Sequence, residues 1–215
     1  MALDTCRSAW KDSPVQQCIV TLDMEGVLTP EIWIAVAEKT GIERLRLTTR
    51  DVPDYDVLMR GRLQILAEHG LRLSDIQGVI ASLQPLDGAF AFLNALREFT
   101  QVIILSDTFE QFAQPLLRQL GWPTLLCHRL VVDSDRVVGY TLRVRDQKRR
   151  AVAALRDMNY RVIAGGDSYN DIAMLQAANA GILFHAPSNV RGEFPNFPAT
   201  DDYSEFLRLI QAAHR

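Results

Sequence analysis

Asp23 and Glu25 stand one residue apart at the end of a short apolar run, Cys18-Ile19-Val20-Thr21-Leu22, and Gly26 follows them. Such a run predicts a strand, and the glycine permits the sharp turn that must come next. Open α/β sheets bind their ligands beyond the carboxyl ends of the strands, so acids at that end are placed for chemistry. Two later stretches are built the same way. Val102-Ile103-Ile104-Leu105 runs into Ser106-Asp107-Thr108, and Arg161-Val162-Ile163-Ala164 runs into Gly165-Gly166-Asp167-Ser168-Tyr169-Asn170-Asp171. Lys148 opens a predicted helix shortly before the last of them.

If these strands are parallel, their carboxyl ends converge and several carboxylates share one cleft. Like charges at short range raise each other's pKa unless a cation sits among them. Hard oxygen donors without His or Cys point to Mg²⁺, which takes one or two carboxylates and completes its shell with water and phosphate oxygens. The cleft is therefore expected to bind a phosphorylated substrate. Ser106 supplies a hydroxyl and Lys148 a fixed positive charge for phosphate oxygens, and a carboxylate in line attacks the phosphorus.

Positioning these groups requires alternating strands and helices. Thr29-Pro30-Glu31 starts a helix that Gly41 closes, and helical patterns follow over Tyr55 to Gly70 and Ser74 to Leu83. From about Pro30 to Gln84 no strand-like run interrupts. Beyond Pro85 the pattern predicts a helix over Gly88 to Phe99, the strand 102–105, and a helix from Thr108 to Leu120. A short strand over Thr124 to Cys127 and a separate hairpin of 130–132 and 137–142 come next. A helix from Arg145 to about Asn159, strands at 161–164 and 181–184, a helix from Ile172 to Ala178 and a terminal helix from Ser204 to Ala213 complete the chain. The expected fold is α/β, a Rossmann-like doubly wound parallel sheet with a helical cap inserted after the first strand. The core is expected over 17–29 and 85–215, the cap over 30–84, and a loose N-terminal extension over 1–16. Neither a G-x-x-x-x-G-K-[ST] nor a G-x-G-x-x-G motif occurs, which weighs against an ATP-dependent kinase or a dinucleotide site.

Composition agrees with a globular enzyme. Of 215 residues, 48% are hydrophobic and 23% charged, enough to bury a sizeable core. A net charge of −3 provides no long-range attraction for nucleic acid or an anionic membrane. No apolar run approaches the roughly 18 residues of a membrane span. Cys6, Cys18 and Cys127 are scattered and lack metal-ligand spacing, so they are read as reduced residues of a cytoplasmic protein.

Four segments in order carry a resemblance. Asp-x-Glu-Gly-Val at 23–27, Leu-Ser-Asp-Thr at 105–108, Lys148, and Gly-Gly-Asp-Ser-Tyr-Asn-Asp at 165–171 look like the motifs of the haloacid dehalogenase superfamily. The helical insertion resembles its phosphoserine phosphatase branch. Glu-Gly-Val-Leu-x-Pro-Glu-Ile-Trp-Ile-Ala at 25–35, Pro-Asp-Tyr-Asp-Val-Leu-Met at 53–59 and Leu-Phe-His-Ala-Pro at 183–187 are similar to its phosphoserine:homoserine phosphotransferase type. The resemblance covers residues 18 to about 205.

It implies that Asp23 is a nucleophile forming an aspartyl-phosphate and that Glu25 is the general acid/base. Asp23, the backbone carbonyl of Glu25, and Asp167 would hold Mg²⁺. Ser106 and Lys148 would bind phosphate with help from Asn170, while Asp171 would orient Lys148 or a metal-bound water. Glu31 and Arg62, the latter in competition with Arg60, would recognise the amino and carboxyl groups of phosphoserine. Homoserine is the implied alternative acceptor, and the oligomeric state stays open, a homodimer included.

Two positions depart from the superfamily's phosphatases. Glu25 stands where most have Asp, a difference of one methylene or about 1.5 Å. Asp107-Thr108 stands where glycines are common, so Asp107 joins the candidates around the phosphate. Arg149 and Arg150 belong to a charge run and are read as solvated. His69, His128 and His185 are read as loop or surface residues, and Trp33, Phe109 and Trp122 as core. Two alternatives stay in view, a superfamily phosphatase for another small metabolite and a non-enzymatic phospho-acceptor of the receiver type. The helical insertion argues against the latter.

Overall fold

The computed structural model describes residues 16–49, 51–52 and 54–214. The expected N-terminal extension lies, but for its last residue, outside them. Seven strands form one sheet in the order β4-β3-β2-β1-β5-β6-β7. They are β1 (Cys18–Leu22), β2 (Gln101–Phe109), β3 (Thr124–Asp133), β4 (Arg136–Thr141), β5 (Arg161–Gly166), β6 (Ala180–Phe184) and β7 (Ala199–Thr200). All neighbours pair in parallel except β3 and β4, which form an antiparallel hairpin at one edge. The strand carrying Asp23 is thus flanked by the strands carrying Ser106 and preceding Asp167.

Alternation along the strands builds two cores. Val20 and Leu22 of β1, Ile104 of β2, Ile163 of β5 and Phe184 of β6 point to one face. Ile19, Leu105, Val162, Ala164 and Leu183 point to the other. The first face is covered by α4 (Ala89–Arg97), α5 (Glu110–Gln119) and α9 (Tyr203–His214). The second is covered by α6 (Gln147–Asp157), α7 (Tyr169–Ala177) and α8 (Ser188–Glu193). Helices on both faces of a mostly parallel sheet make this the expected doubly wound α/β fold.

Between β1 and α4 run α1 (Ile32–Thr40), a 3₁₀ turn (Glu43–Arg46), α2 (Tyr55–Glu68) and α3 (Leu73–Ala81). Gly41 ends α1 in the left-handed conformation, φ 70°, and the Asp54 carboxylate accepts the Val57 N–H at the start of α2. Several contacts hold this helical segment against the sheet domain. Asp135, at the tip of the β3–β4 hairpin, accepts the Ser74 hydroxyl at 2.6 Å and its N–H at 3.0 Å. Gln77 donates to the Gln111 carbonyl of α5, and the Tyr140 hydroxyl of β4 donates to Asp56.

Four local expectations are corrected. Thr108 and Phe109 belong to β2 rather than to a helix, because Phe109 pairs with His128 after a register shift that follows Leu105. The short strand at 124–127 and the first hairpin arm are one ten-residue strand, since β3 passes from parallel pairing with β2 to antiparallel pairing with β4. The helix expected from Ile172 begins at Tyr169, and α8 and β7 were not anticipated. Trp122 is 62% exposed, while Trp33 and Phe109 are buried as expected.

Candidate active site

Each motif reaches the site through a local device. The Asp23 N–H extends the β1–β5 ladder by donating to the Gly165 carbonyl at 2.9 Å. The chain then folds back: Leu28 and Thr29 donate to the Met24 carbonyl, and the Gly26 N–H donates to the Thr29 carbonyl. Gly26 sits at φ +78°, and a Cβ there would lie 2.5 Å from Asp167 Oδ2. The turn works only without a side chain, and the absence of one lets the Asp167 carboxylate lean over it. Gly26→Ala is expected to cost about 1–3 kcal/mol, read as a lower urea midpoint with an unchanged slope. A midpoint equal to wild type would contradict this reading of the turn.

The register shift in β2 sets Ser106 and Asp107 where the regular ladder is interrupted. Ser106 Oγ accepts the Thr108 N–H at 3.2 Å. At the β5–α7 junction, Asp171 Oδ2 accepts the N–H groups of Asp167 at 3.0 Å and Ser168 at 3.1 Å. Its Oδ1 accepts from Lys148 Nζ at 2.8 Å. Both oxygens of this fully buried carboxylate are therefore engaged.

Lys148 is buried at the start of α6, with Nζ 2.9 Å from Asp23 Oδ1 and 4.0 Å from Asp107 Oδ2. Burial alone would lower its pKa, but Asp171, Asp23 and Asp107 outweigh that and push it well above the usual lysine value. Asp23 is pushed up by burial and by the Asp171 charge, against the pull of Lys148. The oxygens of Asp23, Asp167 and Asp171 come within 4.8 Å of one another, and the Lys148 ammonium pairs with Asp23 and Asp171. The excess of negative charge and the all-oxygen donor set fit a hard divalent cation such as Mg²⁺.

Above the sheet, α1, α2 and the segment between them form the opposite wall. The Glu25 carboxylate accepts the Ile32 N–H at 3.0 Å, tying it to the first turn of α1. Burial, then the nearby Glu31 charge, push Glu25 up to about 8, against the Ile32 N–H and Arg62. The Arg62 guanidinium lies 4.5 Å over the Trp33 ring and donates to the Leu47 carbonyl at 2.8 Å. Its Nε is buried without a partner, and burial lowers its pKa to about 10 although Glu25 and Tyr55 oppose the shift. The Tyr55 hydroxyl donates to the Asp107 carbonyl at 3.0 Å, and Asn170 donates to Thr49 Oγ1 at 2.9 Å, so this wall touches the sheet's edge at both sides.

Asp23, Glu25, Glu31, Arg62, Ser106, Asp107, Lys148, Asp167 and Asn170 all line one cavity of about 100 Å³, with Asp171 beneath it. Arg60 is exposed and does not line it. Trp33, Thr49 and Tyr55 line it as well; Trp33 and Tyr55 lie in the stretches that carry the resemblance but have no site role in the sequence reading, and nothing in the sequence marks Thr49. His128 is the correction at this site: it is 4% exposed, packed beside Tyr55 and Phe109, and 3.4 Å from Asp107. Its neighbours in sequence gave no hint of this, because it lies on a strand whose extent is set by partners far along the chain.

Known proteins share this construction. A family model described as haloacid dehalogenase-like hydrolase matches residues 19–179. The phosphoserine phosphatase ThrH of Pseudomonas aeruginosa is 65% identical over 199 residues, 92% of this chain and 97% of that protein. A phosphoserine phosphatase of Pseudomonas syringae pv. tomato is 63% identical over 199 residues, 92% of this chain and 84% of that one. A solved substrate-bound phosphoserine phosphatase complex superposes with a TM-score of 0.76 at 18% identity, over 91% of this chain and 99% of that one, which is a likeness of fold. No helix among the described residues is long and apolar enough to cross a membrane. With the four motifs gathered at one sheet edge and the family model spanning most of the length, the chain belongs to the haloacid dehalogenase-like hydrolases.

Proposed function

We propose that this chain is a Mg²⁺-dependent phosphoserine phosphatase working through an aspartyl-phosphate on Asp23. The observation that carries the reading is Lys148 held between Asp23 and Asp171, with Glu31 and Arg62 across the same small cavity. Such an arrangement offers a cation to a phosphate at one end and opposite charges to an amino acid at the other. Identity of 65% to a phosphoserine phosphatase over nearly both chains supports the substrate. A cytoplasmic location and a place in amino-acid biosynthesis go with it.

In this reading the Asp23 carboxylate attacks phosphorus, and the bond from phosphorus to the serine oxygen breaks. Glu25, whose pKa burial and the Glu31 charge push up to about 8, gives a proton to that oxygen. It then takes a proton from water, whose oxygen attacks the phosphorus and releases Asp23. Ser106, Lys148 and Asn170 bind the phosphate oxygens, and Asp171 fixes Lys148. Asp23, Asp167 and the Glu25 carbonyl would hold Mg²⁺, whose charge would offset the repulsion between a carboxylate nucleophile and a phosphate dianion. Residues 30–84 act as a cap over a core of 17–29 and 85–215, and closure excludes bulk water from these charges.

The deciding experiment is a phosphate-release screen of small phosphomonoesters with Mg²⁺ and with chelator, with and without homoserine. Phosphoserine is the expected best substrate. Preference for a sugar or nucleotide phosphate would overturn the assignment, and absence of turnover on every ester would favour a phospho-acceptor.

Transfer to homoserine is the second reading, favoured by the tie between Glu25 and the Ile32 N–H. The extra methylene carries the carboxyl to α1, leaving room beside Asp23 for an acceptor larger than water. Glu25→Asp is expected to raise the ratio of phosphate released to phosphate transferred; an unchanged ratio would sink this idea.

A further inference from the structure

A polar cluster lies under the phosphate side of the cavity, and no step above uses it. Gln147, buried at the first position of α6, donates through Nε2 to the Ser106 carbonyl at 2.5 Å and to Asp107 Oδ1 at 3.0 Å. Its Oε1 accepts from Arg143 Nε at 3.2 Å, which fixes the amide's orientation, since a guanidinium can only donate. The Arg143 backbone N–H donates to His128 Nδ1 at 3.2 Å. That nitrogen is therefore the unprotonated one, and Nε2–H lies 3.4 Å from both Asp107 Oδ1 and Gln147 Nε2, itself a donor, so Asp107 is the oxygen available to it. Two donors thus converge on one oxygen of Asp107.

The other oxygen is the one that matters for a ligand. Asp107 Oδ2 stops 4.0 Å short of Lys148 Nζ, whereas Asp171 and Asp23 lie at 2.8 and 2.9 Å. Lys148 has three N–H groups, of which Asp171 and Asp23 take two. A carboxylate swinging over from Asp107 would capture the third in a charge-assisted hydrogen bond. It would also set a negative charge against any phosphate there.

We propose that His128 and Gln147 are positioning residues that hold Asp107 away from Lys148 and so keep one ammonium N–H open for the phosphate. This rests on the function proposed above for the same cavity. The Tyr55 hydroxyl, bonded to the Asp107 carbonyl, adds a restraint on the backbone.

The test is calorimetric titration of inorganic phosphate into the Mg²⁺-loaded protein. His128→Asn keeps an acceptor for the Arg143 N–H but removes the reach to Asp107. It is expected to weaken phosphate binding about ten- to a hundredfold, the worth of one lost hydrogen bond to a charged group. His128→Gln, which places an amide N–H near the ring's Nε2, is expected to recover most of the loss. In the Asp107→Asn background, His128→Asn is expected to change nothing further, because the competing charge is gone. Gln147→Met provides the same comparison should His128→Asn fold poorly. An equal loss with and without the Asp107 charge would mark a mere packing defect and overturn the proposal. So would undiminished binding by His128→Asn and Gln147→Met, or no phosphate binding by wild type. The expected pattern in a protein that does not hydrolyse phosphoserine would overturn the substrate assignment alone.

Discussion

Asp23→Asn abolishes turnover of phosphoserine, lowering the rate by at least about 10⁴-fold, the scale seen when a nucleophile that acts in concert with its neighbours is removed. The amide keeps the shape of the carboxylate and still accepts the Met24 N–H, which Asp23 Oδ1 takes at 2.7 Å. The circular dichroism spectrum should therefore match wild type. Denaturation of wild-type protein during turnover should trap a phosphoryl group on the peptide containing Asp23, seen by mass spectrometry, and the variant should show none. Residual activity near wild type, or a label on another peptide, would remove Asp23 from the nucleophile's role.

Lys148→Met should damage both stability and chemistry, for one electrostatic reason. Lys148 and its partners Asp23 and Asp171 are buried, and removing one member of a buried pair leaves uncompensated charge, costing about 3–5 kcal/mol. In chelator the variant should unfold at markedly lower urea than wild type. If Mg²⁺ is held beside Asp23 and Asp167 as proposed, a site that exists only in the folded state, adding it should restore part of the difference by replacing the lost positive charge. The rate should fall about 10²- to 10³-fold even when the protein is folded, as when one preorganised donor to a developing charge is lost. A variant as stable as wild type in chelator would show that the carboxylates balance without Lys148. Unimpaired catalysis would show that Lys148 does not touch the phosphate.

Asp23 and Asp167 stand out in the sequence for a local reason, whereas Lys148 lies in a charge run that reads as solvated and stands out only through the resemblance of the ordered motifs. A β-forming run must end somewhere, and where it ends in acids followed by glycine the turn chemistry is written in three or four neighbouring residues. Cys18 to Gly26 and Arg161 to Asp171 are of this kind. So is Gly41, whose left-handed conformation stops α1 at the expected place. The helical insertion could be read because no strand pattern interrupts residues 30–84, and parallel strands with short helical connections admit few topologies.

What needed the tertiary structure depends on partners distant in sequence. β3 is one strand because β2 pairs with its first half and β4 with its second, and neither partner is visible in its own residues. Arg60 and Arg62 are close in sequence yet about 200° apart around α2, at 100° per residue. Only the position of Trp33 on another helix decides that Arg62 is the buried one. His128 reads as a loop or surface residue in the sequence, since an aspartyl-phosphate mechanism needs no histidine base. Its burial follows from Tyr55 and Phe109 packing around it and from Asp107 arriving across the register shift. The sequence by itself therefore determined the strand-end groups and the order in which they occur, since short-range turn and periodicity rules govern both. The tertiary structure alone decided which side chains face those groups, because burial is settled by what packs from elsewhere in the chain.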